Sequence, residues 1–211
     1  MGGVLPKQFL LLHGKPILQH TLERFDNIPN IDEMVLVVPA SEVRRAERLV
    51  ARARIRKVSH VVVGGEHRQD SVRHGLLSFD RQPTIVLVHD AVRPLVSSEV
   101  VLEVICQARR HGGAVVGVPV KDTIKIGRDG LCLRTLDRRT LWAVQTPQGF
   151  RYDVLMRAHV AAQRSGFLGT DDASLIERLH LPVVIVEGSP WNIKITTQED
   201  LACARAWLKR G

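Results

Sequence analysis

Apolar residues in this chain gather into short unbroken runs, and amphipathic stretches separate them. The runs Glu33–Val38, Ser59–Val63, Thr84–His89, Ala114–Val118 and Val183–Glu187 are rich in Val, Ile and Leu, and most do not alternate with polar positions. Continuous runs of this length are the texture of parallel strands covered on both faces. Between and beyond them, helical periodicity predicts Pro16–Phe25 with proline in its first turn, Ser41–Ala53, Ser71–Leu77, Ser97–His111 behind a serine cap, Tyr152–Ser165, Asp172–Leu179 and Thr197–Lys209. Strands alternating with helices predict an α/β fold: a doubly wound, mostly parallel sheet with right-handed crossovers.

One stretch breaks this rhythm. Thr123–Ile126 and Leu131–Leu136 flank Gly127-Arg128-Asp129-Gly130, which predicts a β-hairpin around a four-residue turn. The chain is then a single domain over residues 1–211 with a β-arm at about 121–141. A two-stranded ribbon is marginally stable alone. It needs a surface to pack on, and a second subunit supplies one, so the arm predicts a homodimer.

With 211 residues and 45% hydrophobic content, the chain can bury one two-sided core. No apolar run reaches the roughly 18 residues of a membrane span, and the first residues carry no charged-then-apolar signal pattern. Cys106, Cys132 and Cys203 are unevenly spaced and form no Cys-x-x-Cys pair, which points away from a disulfide framework and toward a cytoplasmic protein. Lysine and arginine exceed aspartate and glutamate, 30 to 22, which suits anionic partners. Aromatic residues are only 4% of the chain, too few for a stacking platform, so phosphorylated small molecules fit better than nucleic acid. The densest basic stretch, from Arg44 to Lys57, shares its helix with Val43, Leu49, Val50 and Ala53, as a solvated outer face would.

Candidate chemistry follows the strand ends, where ligands gather in open α/β sheets. Asp90 lies just past the run Thr84–His89 and beside Arg93, a position that suits a magnesium ion shared with substrate phosphates. An aspartate capping the next turn is the plainer reading. Gly64-Gly65 after Ser59–Val63 lets a backbone pass close to a ligand, and Arg68, Asp70 and Ser71 follow at a helix start that favours anions. Lys194 sits within the apolar stretch Ile193–Ile195, where a charge is costly unless something anionic meets it. Lys7, behind Pro6, is a weaker candidate, as lysines are mostly exposed. Arg138 and Thr170 could complete a phosphate clamp. The nine histidines are scattered and form no His-x-x-x-His pair.

Eight strings then carry a resemblance: Pro6–Phe9, Gly64–Ser71, His89–Pro94, Lys121–Thr123, Asp137-Arg138, Leu141–Phe150, Thr170–Ser174 and Asn192–Thr196. In order and content they resemble the 2-C-methyl-D-erythritol 4-phosphate cytidylyltransferase family, from residue 1 to about residue 205. The resemblance implies a Rossmann-like nucleotidyltransferase fold and transfer of cytidylate from CTP to methylerythritol phosphate, with release of pyrophosphate in isoprenoid biosynthesis. It also implies Mg2+ as cofactor, with Asp90 its protein ligand, and a homodimer whose arm reaches the neighbouring site. Lys7 falls on the triphosphate-binding lysine; Gly65, Glu66 and Ser71 on the cytidine contacts; Arg68 on the support of the phosphate site. Asp90, Ala91 and Arg93 match the segment that meets ribose, metal and acceptor. Thr123, Arg138, Thr170 and Lys194 match the acceptor-phosphate pocket, with Arg138 and Lys194 positioning the attacking phosphate and Thr123 and Arg138 supplied across the dimer.

Relatives acting on ribitol 5-phosphate share the His-Asp-x-Val-Arg-Pro, Gln-Thr-Pro-Gln and Asn-Ile-Lys strings. Lys121-Asp122-Thr123, Asp137-Arg138 with Leu141-Trp142, and Thr170–Ser174 favour the methylerythritol acceptor. The family also opens with a buried strand and a glycine-rich loop ahead of the position of Met1. Their lack predicts a gap at the centre of the sheet and an incomplete CTP site, and leaves a non-catalytic phosphate-binding homologue as the other reading.

Overall fold

The computed structural model describes residues 6–208. A turn of 3-10 helix at Lys7–Phe9 leads into a short antiparallel pair, β1 (Leu11–Leu12) and β2 (Lys15–Pro16), and then α1 (Ile17–Asp26). The predicted rhythm continues through β3 (Met34–Val38), α2 (Val43–Ala53), β4 (Val58–Val63), α3 (Arg68–Leu76), β5 (Ile85–Val88), α4 (Ser98–His111) and β6 (Gly113–Pro119). Next come β7 (Lys125–Arg128), β8 (Leu131–Thr135), β9 (Trp142–Arg151), α5 (Tyr152–Ser165), α6 (Asp172–Glu177), β10 (Val184–Glu187) and α7 (Gln198–Leu208). Pro16 caps α1 from outside instead of entering its first turn. Ser97 caps α4 as expected, its hydroxyl accepting from Val100 N. On α2 the arginines face solvent while Ala46 and Leu49 are buried, so the basic stretch is an outer face.

Two separate hydrogen-bonded sheets carry the core strands among the described residues. One runs β10-β6-β9-β5 and the other pairs β3 with β4 in parallel. Among the described residues β3 and β5 each keep one edge without a strand partner. Apolar side chains of Phe25, Ile28, Met34 and Leu87 pack together where the two sheets approach.

The ten-residue β9 has no counterpart among the expected strands. It is antiparallel to both β5 and β6, so the sheet is more mixed than the apolar runs imply. Its middle, Gln145-Thr146-Pro147-Gln148-Gly149, looks like a turn in sequence because it combines proline, glycine and amides. The neighbours resolve this. Val115 pairs with Gln148 and Val116 with Gln145, so Thr146 and Pro147 bulge from the ladder. Bulges of this kind re-aim side chains beside active sites. Gly149 is required by packing: a Cβ there would stand 2.6 Å from Val104 of α4 and 2.9 Å from Leu87.

The hairpin forms, with a tighter turn than expected. β7 extends to Arg128, and only Asp129 and Gly130 turn, with φ of 52° and 79°. Positive φ at both positions is the geometry of a two-residue turn matched to strand twist. Every residue of β7 and β8 is exposed.

At the end of β5, His89 fastens the bulge. The Thr146 hydroxyl lies 3.1 Å from His89 Nδ1, and Nε2 lies 3.0 Å from the Arg93 carbonyl. A neutral ring protonated at Nε2 fits both contacts, because Nδ1 must then accept. Desolvation pushes the His89 pKa down from 6.5 to about 4. The unfolded chain therefore takes up this proton near pH 6.5 and the folded chain near pH 4. The stabilising contribution is complete above about pH 6.5 and is lost progressively as pH falls toward 4. Denaturant titrations across that window should show stability declining in the native chain and a shallower slope in a His89→Gln variant. Equal slopes would remove His89 as the cause.

Candidate active site

Asp90 stands at the carboxyl end of β5, as the strand pattern requires. Its Oδ2 accepts from Arg93 Nε at 3.1 Å and lies 3.1 Å from Lys194 Nζ. Burial pushes this carboxyl upward, but the Lys194 and Arg93 cations outweigh that push and hold it below its ordinary range. The anionic partner demanded by Lys194 in its apolar setting is thus Asp90. Ile195 is fully buried, yet the lysine side chain keeps 42% of its exposure and points its charge outward. Arg93 is held more firmly, with 11% exposure and Nη1 donating to the Asn192 carbonyl at 2.7 Å.

Residues distant in sequence meet here for packing reasons. Leu12, Ile17, Val92 and Ile195 form one buried cluster, and Ile195 N donates to the Val92 carbonyl. Phe9 is buried in the cluster against which Ala91 packs, and Thr21 Oγ1 donates to the Ala91 carbonyl. These contacts set the Lys7 turn, the Asp90–Arg93 loop and the Lys194 segment around common apolar ground. Asn192, 2% exposed, donates through Nδ2 to Gln145 Oε1 and the Thr146 carbonyl. Thr146 Oγ1 in turn accepts from Asp90 N. Trp191 stacks on Trp207 of α7, with centroids 3.9 Å apart, which pins the loop carrying Lys194 to the last helix.

A second group of strings assembles beside α3. Gly65 N donates to Ser71 Oγ, and a Cβ on Gly65 would lie 2.3 Å from the Asp70 Cβ, so only glycine fits. Arg68 opens α3 and donates through Nη1 to Asp172 Oδ2 at 2.7 Å. Gln148 of β9 spans the same region: Nε2 donates to Asp171 Oδ2 while Oε1 accepts from the amides of Asp172 and Ala173. Gln148 is 1% exposed, and these contacts satisfy both ends of its amide.

The remaining candidates are more scattered. Lys7, Glu66, Thr123 and Thr170 are exposed. Arg138 lies beyond the hairpin and donates to the Lys121 carbonyl at 2.6 Å, apart from the Asp90 cluster within one chain. Among the described residues no group of three or more His, Cys, Asp or Glu is gathered. Among the described residues Asp90 is the one carboxylate of its cluster, and its side-chain contacts are all made through Oδ2. That arrangement fits a hard cation completed by substrate phosphates and water, not an all-protein cage. Sequence reasoning picked out neither Thr146, Gln148 nor Asn192 as site residues, although each is a hub of the hydrogen bonding. Their strings were visible; their roles depend on which loops meet them.

Comparison with known proteins places this geometry. The sequence model of "IspD: 2-C-methyl-D-erythritol 4-phosphate cytidylyltransferase" matches residues 1–210. A protein of that name from Desulforamulus reducens is 45% identical over 212 residues, covering 100% of this chain and 91% of the relative. Another from Pelotomaculum thermopropionicum is 48% identical, covering 99% and 89%. The crystal structure of 4-diphosphocytidyl-2C-methyl-D-erythritol synthase from Anaerococcus prevotii superposes with a TM-score of 0.89 at 32% identity, covering 99% of this chain and 92% of that one. A Thermus thermophilus structure gives 0.82 at 35% identity, covering 97% and 94%. With its fold, its string order and nearly its whole length shared, this chain belongs to the 2-C-methyl-D-erythritol 4-phosphate cytidylyltransferase family, a family of nucleotidyltransferases.

Proposed function

We propose that this chain transfers cytidylate from CTP to 2-C-methyl-D-erythritol 4-phosphate, releasing pyrophosphate and forming the cytidine diphosphate product used in isoprenoid biosynthesis. The observation that carries the assignment is the Asp90–Arg93–Lys194 cluster in a chain of this family. Two cations on one carboxylate leave an excess positive charge at a strand end, where a phosphate can take it up. A phosphate oxygen of the acceptor attacks the α-phosphorus of CTP, the bond to the bridging oxygen breaks, and pyrophosphate leaves with that electron pair. Positioning and charge neutralisation are what such a step asks of a protein.

Within this reading Lys194 and Arg138 hold the attacking phosphate, and Lys7 meets the triphosphate. Arg68 supports the nucleotide phosphates. Gly65, Glu66 and Ser71 contact the cytidine, while Asp90, Ala91 and Arg93 meet ribose and acceptor. Thr123 and Thr170 line the acceptor pocket. Asp90 Oδ1 would hold Mg2+, which supplies charge neutralisation on the phosphates when bound.

The arm supports a homodimer. Leu131 is 70% exposed and Leu133 60%, with Ile126, Trp142 and Val144 also open to solvent. Apolar side chains on a solvated ribbon call for a cover, and a second copy brings Arg138 and Thr123 of one subunit to the site of the other. Three free cysteines suit a reducing cytoplasm, and no helix among the described residues is long and apolar enough to cross a membrane.

Pyrophosphate release by the full-length protein should require both CTP and methylerythritol phosphate. Equal turnover with ribitol 5-phosphate would overturn the acceptor. Replacing Lys194 or Arg138 by alanine should lower kcat/KM by about a hundredfold or more while circular dichroism stays native. Near-normal kinetics in either variant removes its role. Mixing the two inactive variants tests the arm, since a heterodimer carries one intact site of two. Reassociated equimolar subunits should regain about a quarter of native activity, and no recovery would place Arg138 at its own subunit's site.

A further inference from the structure

The core also holds a polar pair away from the phosphate-facing cluster. His159 of α5 and Asp172 at the start of α6 are each 1% exposed. His159 Nε2 lies 3.4 Å from Asp172 Oδ1. Among the described residues neither imidazole nitrogen has a partner meeting hydrogen-bond geometry, and neither does Asp172 Oδ1. Leu155, Ala158, Ala162 and Ile176 belong to the apolar cluster built on α5 and α6, while His159 also borders a partly polar cavity. A buried imidazole without a protein partner is costly, and so is a bare carboxylate oxygen. Each group answers the other's need when the ring carries its proton on Nε2.

The consequence reaches Arg68. Asp172 has two carboxylate oxygens with divided duties, Oδ2 accepting from Arg68 at 2.7 Å and Oδ1 facing His159. Rotating the carboxylate to serve one neighbour would forsake the other, so His159 fixes the angle at which Asp172 presents itself. The Arg68 side chain is 38% exposed and has no other hydrogen-bond acceptor among the described residues. A cavity of about 290 Å³ opens beside this pair between α3 and α5, lined in part by Gln69, Arg73 and His159. It gives water a way to Asp172 once the ring is cut back.

We propose that His159 is a positioning residue: acting through Asp172, it holds Arg68 in the orientation that meets the nucleotide phosphates. This rests on the assignment of Arg68 to the nucleotide. Loss of the imidazole then weakens CTP binding and leaves the acceptor side alone. In full-length protein, His159→Leu should raise the KM for CTP about tenfold, the weight of a hydrogen bond to a charged group, with kcat and the acceptor KM within about twofold. His159→Gln, whose amide can occupy the Nε2 position, should recover most of that loss. Because both residues act on one contact, Arg68→Ala combined with His159→Leu should be no worse than Arg68→Ala alone. A crystal structure of the His159→Leu variant should show Arg68 withdrawn from Asp172.

An unchanged KM for CTP, or additive effects of the two substitutions, overturns the proposal. So does an Arg68–Asp172 contact that persists in the variant. Should His159→Leu fail to fold, His159→Asn, whose amide mimics Nδ1 and falls short of Asp172, carries the same measurements. Should Arg68→Ala alone leave the CTP KM unaltered, the nucleotide assignment of Arg68 fails, and the position of Arg68 in the variant crystal still decides the role of His159.

Discussion

Like charges repel, so cations meant for a phosphate can be stored side by side only if an anion stands among them until the substrate arrives. Asp90 is that anion. Its Oδ2 serves Arg93 and Lys194 together, which neutralises one charge and leaves the second uncompensated. The two cations are not equivalent. Arg93 is nearly enclosed and tied to the Asn192 carbonyl, so it cannot follow a ligand without breaking the loop that carries it. Lys194 is the freer of the two, and on the proposed assignment it exchanges Asp90 for a phosphate oxygen. An ammonium on a flexible stem suits that exchange, as a planar guanidinium fork suits the fixed role.

Keeping this cluster in register falls to β9. Its amides and threonine are almost fully buried, a position that burdens most strands, yet here each side chain answers polar groups on a neighbouring loop. Gln145 and Thr146 bond Asn192, Thr146 bonds His89 and the Asp90 amide, and Gln148 bonds three groups at the start of α6. Among the described residues Asn192 Oδ1 is the one buried side-chain atom of this network without a partner. The rest are paired, and such a network specifies one arrangement, since a slip leaves further desolvated donors or acceptors bare. The bulge at Thr146-Pro147 makes this possible by breaking the strict alternation of the ladder between Gln145 and Gln148.

Legibility follows from whether the cause is local. The five Val/Ile/Leu runs became strands within a residue or so of their expected ends, and Tyr152–Ser165 became a helix with those bounds, because period and capping act over a few residues. Lys194 was legible in physical terms: a lysine between isoleucines, one fully and one partly buried, needs an anion. β9 was not legible, because its polar side chains are admitted to the core by loops between 23 and 57 positions away, which no local window of sequence contains. The hairpin was legible and its turn was not, as Asp129 can adopt positive φ where glycine is the usual signal. His159 was one of nine scattered histidines until Asp172 was found opposite it. Glu66 and Thr123 came from the resemblance alone, and Lys7, Arg138 and Thr170 were weak candidates until it gave them roles; the exposure of all five in a single chain is what residues awaiting substrates or a second subunit would show.

The two halves of the site share a single support, and this bears on how they communicate. Thr146 and Gln148 are two positions apart on one strand, yet the first orders the Asp90 loop and the second orders the Asp172 turn. On the proposed assignments these are the acceptor side and the nucleotide side. A strand hydrogen-bonded on both edges to β5 and β6 is among the stiffest elements a small fold offers, so neither loop can shift without straining the other's anchor. Reaction between two phosphates depends on holding them at a fixed approach, and small misplacements are costly in rate. The geometry of attack is thus referred to one stretch of backbone, Gln145 to Gln148, which carries no charge and touches neither substrate in the proposed scheme.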